Sequence, residues 1–384
     1  MQIYLDNSAT TRPCEAAKDA ALRMIEEDFG NPSTLYRLGI DAEKVLKAAR
    51  RSVAGAIGSD DGEIFFTSGG TESDNAAVFG AFESRKKQGS RVITTAVEHP
   101  AVLRCAEALK RRGADVVILP VKKDGNFDMD AFKEALNEQT ILVSVMHVNN
   151  ETGAVFPIRE ISGLITGYAR EKGIEKPLFH SDCVQSLGKI PVDVHDMGVD
   201  LASFSAHKIH GLKGCGALYV KNGLHIPPLI FGGGQEKGFR SGTENMPGIA
   251  AFGAAAKELA IPSKEIPEYL KKRILDEIPD VKVNSPDDAC PLILNMSFVG
   301  CRAEVILHSL EQDEIYVSTG SACSSKDKGS HVLSAMGLRP EEIEGAVRFS
   351  FSSENTKEQM DIVAEKLKVY VESQRKLRSA FRRR

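Results

Sequence analysis

The chain has 384 residues, of which 42% are hydrophobic and 27% are charged, and its formal net charge is -4. These values are ordinary for a soluble globular protein, and the near balance of charge argues against nucleic acid, a membrane surface or a highly charged substrate as a partner. The length predicts two domains, or one large domain with a smaller one beside it.

The N-terminal segment MQIYLDNSATT lacks the basic and apolar regions of a secretion signal. No apolar run in the sequence is long enough to cross a bilayer. We therefore expect a cytoplasmic protein. The seven cysteines are scattered and form no CxxC pair, so the sequence indicates neither a disulfide framework nor a zinc site.

Short apolar runs alternate with helical patterns from about residue 60 to residue 220. Several runs are apolar throughout, which is typical of strands covered on both faces. The predicted strands span residues 63–68, 91–96, 115–121, 141–148, 177–182, 201–206 and 215–220. The helical patterns span residues 15–27, 71–87, 101–112, 129–137 and 159–172. This alternation predicts an α/β fold with a mainly parallel sheet and helices on both sides.

The pattern changes after the glycine-rich segment 232–238 and a helical stretch at 249–259. Residues 261–269 carry two prolines, and we interpret them as a link to a second, smaller α+β domain. That domain has helical patterns at 302–311 and 357–373 and strand patterns at 292–298 and 346–352. The residues before the first helix can pack with either domain.

Several polar segments follow predicted strands, where ligands collect in open parallel sheets. Thr71 in SGGTESDN lies at a predicted helix start after small residues, which suits either a phosphate site or a plain helix cap. Asp182 in HSDCVQ has a helix N-cap as its simplest interpretation. Arg348, in the strand-like AVRFSF, either points to solvent or pairs with a carboxylate.

Lys208 and Cys323 occupy unusual settings. Lys208 lies among small and imidazole-bearing residues in SAHKIHGLKG. A metal site at His207 and His210 is disfavoured, because the adjacent lysine is cationic and a third ligand is missing nearby. Cys323 lies in the polar segment STGSACSSKDKGS, close to lysines, and exposure near cations is the setting that makes a thiol reactive.

Taken in order along nearly the whole chain, a series of segments resembles the cysteine desulfurases of the NifS/IscS type, in the class V aminotransferase group. The segments are YLDNSATT, SGGTESDN, EHPAV, NNETG, HSDCVQSLGKIPVD, SAHKIHGLKGCGALYV, GGGQEKGFRSGTEN and SGSACSS. The resemblance implies fold type I of the pyridoxal-phosphate-dependent transferases, a homodimer, and release of L-alanine from L-cysteine. With it we expect a large cofactor-binding domain at 16–258, and a small domain that joins 1–15 to 259–384 and carries Cys323.

The resemblance also implies a role for individual residues. Lys208 matches the lysine that forms a Schiff base with pyridoxal 5'-phosphate, His99 the residue that stacks on its ring, and Cys323 the cysteine that accepts sulfur as a persulfide. The implied cofactor-binding residues are Thr71, Asp182, Gln185, Ser205, His207, Lys208 and, from the second subunit, Thr243. The implied substrate-binding residues are Asn150, Arg348 and Asn7, and no metal is implied.

Physical chemistry supports these roles. Pyridoxal phosphate draws electrons from the substrate when its ring nitrogen is protonated, and a carboxylate such as Asp182 raises the pKa of that nitrogen. A desolvated lysine such as Lys208 loses its charge readily. The persulfide on Cys323 then implies a sulfur-acceptor protein as partner, either a scaffold or a tRNA-thiolation enzyme, with nucleic acid involved only indirectly. Cys183 stands where the family usually has alanine, and we expect it to be a packing residue.

Two alternatives remain open. One is another enzyme of the same fold, such as an aminotransferase or a selenocysteine lyase. Cys323 argues against an aminotransferase, because transamination needs no such thiol. The other is a non-catalytic sulfur-relay or assembly partner, against which the presence of Lys208, Asp182, His99 and Arg348 argues. The destination of the sulfur, whether iron–sulfur clusters, thiolated tRNA or thiamin, is not determined by the sequence.

Overall fold

A seven-stranded sheet forms the centre of the computed structural model, which describes residues 2–319 and 329–382. The strands are β1 (Ile3–Tyr4), β2 (Ile64–Thr67), β3 (Arg91–Thr95), β4 (Asp115–Leu119), β5 (Thr140–Ser144), β6 (Leu178–Asp182), β7 (Leu201–Ser205), β8 (Gly216–Val220), β9 (Val281–Val283), β10 (Ile293–Phe298), β11 (Ile315–Tyr316) and β12 (Ala346–Ser350). The large sheet has the order β2-β8-β7-β6-β5-β3-β4, and all neighbours from β4 to β7 are parallel. The predicted mainly parallel sheet is confirmed.

Strand β8 is antiparallel to both of its neighbours, β7 and β2. The connection from β7 to β8 is residues 206–215. A helical crossover to a parallel neighbour takes roughly a dozen residues or more, so this shorter segment can only turn back as a hairpin. Lys208 lies in this tight connection, at the end of β7.

The strands at the middle of the sheet are covered on both faces. Every residue of β5, β6, β7 and β8 is buried. Helices pack on both sides, as they do in other doubly covered parallel sheets. The uninterrupted apolar runs in the sequence are therefore explained by burial on two sides.

The helices mostly follow the predicted patterns. They are α1 (Glu15–Glu26), α2 (Arg37–Ala56), α3 (Gly70–Arg85), α4 (Pro100–Arg111), α5 (Met129–Ala135), α6 (Ile158–Lys172), α7 (Val194–Met197), α8 (Met246–Lys257), α9 (Glu265–Glu277), α10 (Ala303–Glu311), α11 (His331–Ala335), α12 (Pro340–Glu344) and α13 (Lys357–Arg382). Helix α2 was not predicted, because its buried positions are mainly small residues set among charged ones. Its buried face is Gly39, Ala42, Leu46, Ala49, Val53 and Ala54.

Small residues let α2 and α8 approach each other closely. A Cβ added at Gly253 of α8 would lie 2.5 Å from the Cα of Ala49 in α2. Glycine is therefore required at this crossing. The buried α2 residues are spaced mostly three or four apart, as on one face of a helix. This spacing is the sequence signal from which α2 could have been predicted.

The interpretation of residues 261–269 as a link is wrong for its second half. Helix α9 begins at Glu265, and Pro267 lies inside its first turn. Proline is tolerated there because the first backbone N–H groups of a helix have no intrahelical partner. Helix α13 also continues to Arg382, beyond the predicted end at residue 373.

The C-terminal elements build a second, smaller layer. Strands β12, β10 and β9 form an antiparallel sheet, and β1 pairs in parallel with β11. Ile3 and Leu5 share one buried apolar cluster with C-terminal residues such as Phe349 and Leu367. The domain boundaries stay a prediction. In the described part of the chain, no helix is both long and apolar enough to span a membrane.

Candidate active site

A cavity of about 370 Å³ lies where the parallel strands β6 and β7 end. Its wall brings together residues that lie far apart in the sequence. The predicted site residues that line it are Thr71, His99, Asn150, Asp182, Gln185, Ser205, His207, Lys208 and Arg348. The structure therefore gathers most of the predicted site in one place.

Lys208 is held by the backbone of the N-terminal segment. Its Nζ donates hydrogen bonds to the carbonyl oxygens of Ser8 at 2.6 Å and Ala9 at 2.7 Å. Burial lowers the pKa of Lys208 to about 7, and the positive charges of Lys189 and Arg348 act in the same direction. An amine with this pKa is partly uncharged at neutral pH, as a nucleophile or a base requires.

Asp182 ends strand β6 and faces the cavity. Its Oδ1 accepts a hydrogen bond from the backbone N–H of Val184 at 2.9 Å. The helix-cap interpretation is therefore wrong, because the next helix in the described chain begins only at Val194. Burial raises the pKa of Asp182, while the nearby His99 and Lys208 oppose the rise.

Two buried acids near Asp182 were not predicted. Asp74 is 1% exposed and lines the cavity, and burial together with Asp182 raises its pKa well above the usual value. Glu98 is fully buried, and burial raises its pKa to about 8. Both lie in motifs that the sequence analysis singled out, but burial of a carboxyl group is not visible in a sequence.

His99 is the N-cap of helix α4. Its Nδ1 accepts a hydrogen bond from the backbone N–H of Ala101 at 3.2 Å, so this nitrogen carries no proton. Burial lowers the pKa of His99 and the Asp182 carboxylate opposes this, while the nearby Lys208 and His331 act in the same direction as burial. The lowered pKa favours the neutral ring, with its proton on Nε2, and such a ring can stack on a flat ligand.

The end of the cavity near α3 carries hydroxyl groups and a helix start. Thr71 lies in the first turn of α3, and the helix cap is Gly69, so Thr71 is not the cap. Gly69 has a φ of 150°, and a Cβ added at Gly70 would lie 2.7 Å from Val184 Cγ2. Because only glycine fits both positions, backbone N–H groups can approach an anion beside Ser205.

Arg348 pairs with a carboxylate of its own chain and is 3% exposed. Its Nη2 donates to Asp6 Oδ1 at 2.7 Å, and its Nη1 donates to the backbone oxygen of Asn150 at 2.9 Å. The Nε group is buried and has no hydrogen-bond partner among the described residues. The solvent-exposed interpretation is therefore wrong, and the guanidinium still has N–H groups, including Nε, that no described residue engages.

Three predicted residues do not line this cavity. Asn7 lines a neighbouring cavity of about 240 Å³, which also reaches Lys208, and its Nδ2 donates to the backbone oxygen of Ser350 at 3.0 Å. Thr243 is exposed, in the segment before α8. Cys323 lies outside the described residues.

Cys183, next to Asp182, is fully buried, and burial raises the pKa of its thiol to about 12. A thiol with that pKa is protonated and shielded from solvent at neutral pH. These properties fit the packing role that we expected for it.

Comparison with known proteins gives the family. A family model described as aminotransferase class-V matches residues 3–363. A Clostridium botulinum protein named cysteine desulfurase IscS is 42% identical over 390 residues, covering 98% of this chain and 96% of the relative. A Methanosarcina thermophila protein of the same name is 41% identical, covering 94% of this chain and 90% of the relative.

Solved structures agree with the sequence relatives. A NifS-like protein superposes with a TM-score of 0.87 at 34% identity and covers 97% of this chain and 100% of its own. A structure described as SspA in complex with cysteine has a TM-score of 0.82 at 32% identity, with 92% and 100% coverage. The chain therefore belongs to the class-V aminotransferase family of pyridoxal-phosphate enzymes and, within it, to the cysteine desulfurases.

Proposed function

We propose that this chain removes sulfur from free L-cysteine, releases L-alanine and keeps the sulfur as a persulfide on Cys323. The proposal is based mainly on the setting of Lys208, which has a pKa of about 7 and lines one cavity with Asp182 and Arg348. Membership of the cysteine desulfurases supports the choice of substrate.

The cavity suits pyridoxal phosphate at each end. Asp182 and the nearby Asp74 offer acid groups to a ring nitrogen, and Asp74 Oδ1 has no hydrogen-bond partner among the described residues. Gln185 Oε1 is also buried without a described partner, while its Nε2 donates to Ser8 O at 2.9 Å. A ligand that bonds to these groups would be favoured, since a buried polar atom left unsatisfied costs about 1–3 kcal/mol.

The residues that would hold the cofactor divide by chemistry. Thr71, Ser205 and His207 would contact its phosphate, Asp182 its ring nitrogen, and His99 the face of its ring. When bound, pyridoxal phosphate withdraws electrons from the substrate Cα. Burial lowers the pKa of His207 to about 4, so this ring would act as a neutral hydrogen-bond donor to the phosphate.

Lys208 and Arg348 act on the amino acid itself. The uncharged amine of Lys208 takes the proton from the substrate Cα and can return it later. Arg348 lines the cavity and binds the substrate carboxylate with its remaining N–H groups, and Asp6 fixes the guanidinium in place. Because Arg348 holds the substrate carboxylate on one side and Lys208 lies on the other, the Cα–H bond is oriented toward Lys208.

Cys323 completes the reaction at the sulfur. Its thiolate forms a sulfur–sulfur bond with the substrate sulfur as the substrate carbon–sulfur bond breaks. The bonding electron pair stays with the carbon fragment, which takes up a proton and leaves as alanine. A free thiol has a pKa of about 8.5, so we expect Cys323 to need a nearby cation or base for activation.

A second copy of the chain completes the site in this proposal. Large apolar side chains are exposed on α1, around the start of α2 and at Phe231, and exposed patches of this kind often mark interfaces. The most exposed are Ile25 at 60%, Phe29 at 66%, Leu35 at 94%, Tyr36 at 60% and Phe231 at 81%. The same interface would bring Thr243 of one subunit to the phosphate end of the other.

Sedimentation should therefore give twice the chain mass of 41.7 kDa. Phe231→Glu should shift the protein toward single chains and weaken its hold on the cofactor. A wild-type protein that sediments as a single chain would contradict the dimer.

The function itself is tested by incubating the wild-type protein with L-cysteine. We expect one alanine and one protein persulfide for each cysteine consumed in a single turnover, detected by amino-acid analysis and by mass spectrometry after alkylation. Formation of a keto acid would favour an aminotransferase, and activity on selenocysteine alone would favour a selenocysteine lyase. A colourless protein that ignores added cofactor would favour the non-catalytic alternative.

The sulfur acceptor is proposed only as a class. The persulfide has to be attacked by a thiol of another protein, either an iron–sulfur scaffold or a tRNA-thiolation enzyme. Loading Cys323 with ³⁵S from cysteine and adding candidate acceptors would identify the one that gains the label.

A further inference from the structure

Lys189 is a buried lysine that the proposed reaction does not use. It is 4% exposed, and its Nζ has no hydrogen-bond partner among the described residues. No salt bridge to it is found in residues 2–319 or 329–382. Lysine is almost never fully buried without a partner, so this arrangement calls for an explanation.

Lys189 and Lys208 line the same cavity of about 240 Å³. Asn7 lies in that wall as well, and its side-chain amide already donates to Ser350 O. Lys208 separates this cavity from the cofactor cavity, because it lines both. The two lysines therefore face one cavity, and one of them lies at the reaction centre.

Like charges oppose each other's protonation, most strongly where burial removes the screening by water. After burial, the positive charge of Lys189 is the largest influence that lowers the pKa of Lys208 to about 7. Burial lowers the pKa of Lys189 itself to about 8. A lysine with a pKa of about 8 is mostly protonated at neutral pH, so Lys189 carries a positive charge that opposes protonation of Lys208.

The acids Asp6 and Asp182 raise the pKa of Lys208, but each has a smaller effect than Lys189. Cys290 raises the pKa of Lys189 and Arg348 lowers it. Burial raises the pKa of the Cys290 thiol itself, so the thiol stays neutral. The cavity wall also contains Glu258 and Glu354, but neither forms a salt bridge with Lys189. The remaining groups in the wall that can titrate are His210 and Cys14.

We propose that Lys189 is a positioning residue whose buried positive charge keeps the nitrogen of Lys208 free of its proton, and so ready to capture the cofactor and to act as the base. The charge works through Lys208 and touches neither cofactor nor substrate. This inference rests on the proposed function, because it assigns Lys208 as the lysine that binds pyridoxal phosphate.

The test is a spectral pH titration of the purified holoenzyme. The visible absorbance of the bound cofactor reports protonation of the nitrogen that Lys208 contributes. Lys189→Met removes the charge and keeps the length of the side chain, and it should move the midpoint upward by about one pH unit. Lys189→Arg keeps the charge and should leave the midpoint within a few tenths of a unit of wild type. Lys123→Met, at an exposed position, serves as the matched control.

A second readout does not depend on the Met variant folding. Burial lowers the pKa of Lys189 to about 8, so its own titration should add a second, coupled step to the wild-type curve. Arginine does not titrate in this range, so the Lys189→Arg curve should have one step. An unchanged midpoint in Lys189→Met, or identical curve shapes in wild type and Lys189→Arg, would overturn the proposal. A wild-type protein without visible absorbance would instead refute the proposed function.

Discussion

Replacing Lys208 with methionine is expected to abolish both the yellow colour and the release of alanine. Methionine fills a similar volume but cannot bond to the cofactor or carry a proton. The side chain is held by two backbone oxygens, Ser8 O and Ala9 O, and no other lysine lines the cofactor cavity among the described residues. We therefore expect no residue to take over, and a loss of at least about a thousandfold, within the range that positioned proton-transfer groups contribute.

The measurement pairs visible absorption with alanine release under saturating cysteine. The matched control is Lys213→Met, five residues along the same connection between β7 and β8 but exposed to solvent. That variant should remain yellow and active. A Lys208→Met protein that keeps the absorption band of a lysine-linked cofactor would show that another amine forms the bond.

The sequence predicted the roles of Lys208 and Asp182, but it did not explain their positions. The local composition around Lys208 did not single out its role, and only the ordered motifs did so. The structure adds the reason: a hairpin too short for a crossover fixes Lys208 between two cavities. Asp182 is placed in the same way, at the last residue of a strand whose neighbours also end at the cavity.

Interactions between distant segments could not be predicted from the sequence. Arg348 pairs with Asp6, 342 residues away in the chain, and no local pattern contains that pair. Asp74 and Glu98 lie in recognised motifs, but their raised pKa values come from burial by elements elsewhere in the fold. Helix α2 was not predicted for a different reason: four of its six buried residues are alanine or glycine, which carry little hydrophobic signal.

Replacing Cys323 with alanine is expected to reduce sulfide release and persulfide formation to background while the yellow colour remains. Burial of five of the described cysteines explains why their thiols should not substitute for it. Burial raises the pKa of Cys105, Cys183 and Cys215 to about 12, so their thiolates are scarce at neutral pH. Burial also raises the pKa of Cys290 and Cys301.

Cys14 is the one described cysteine that is only partly buried, and it lines the cavity that reaches Lys208. It is therefore the competing sulfur acceptor that the structure offers, and Cys14→Ala is the decisive control for Cys323→Ala. If Cys323 accepts the sulfur, Cys14→Ala keeps its persulfide and its rate, whereas Cys323→Ala loses both. If Cys14→Ala loses its persulfide and its rate while Cys323→Ala keeps both, Cys14 accepts the sulfur. The substrate sulfur would then have to point toward the neighbouring cavity that Cys14 lines.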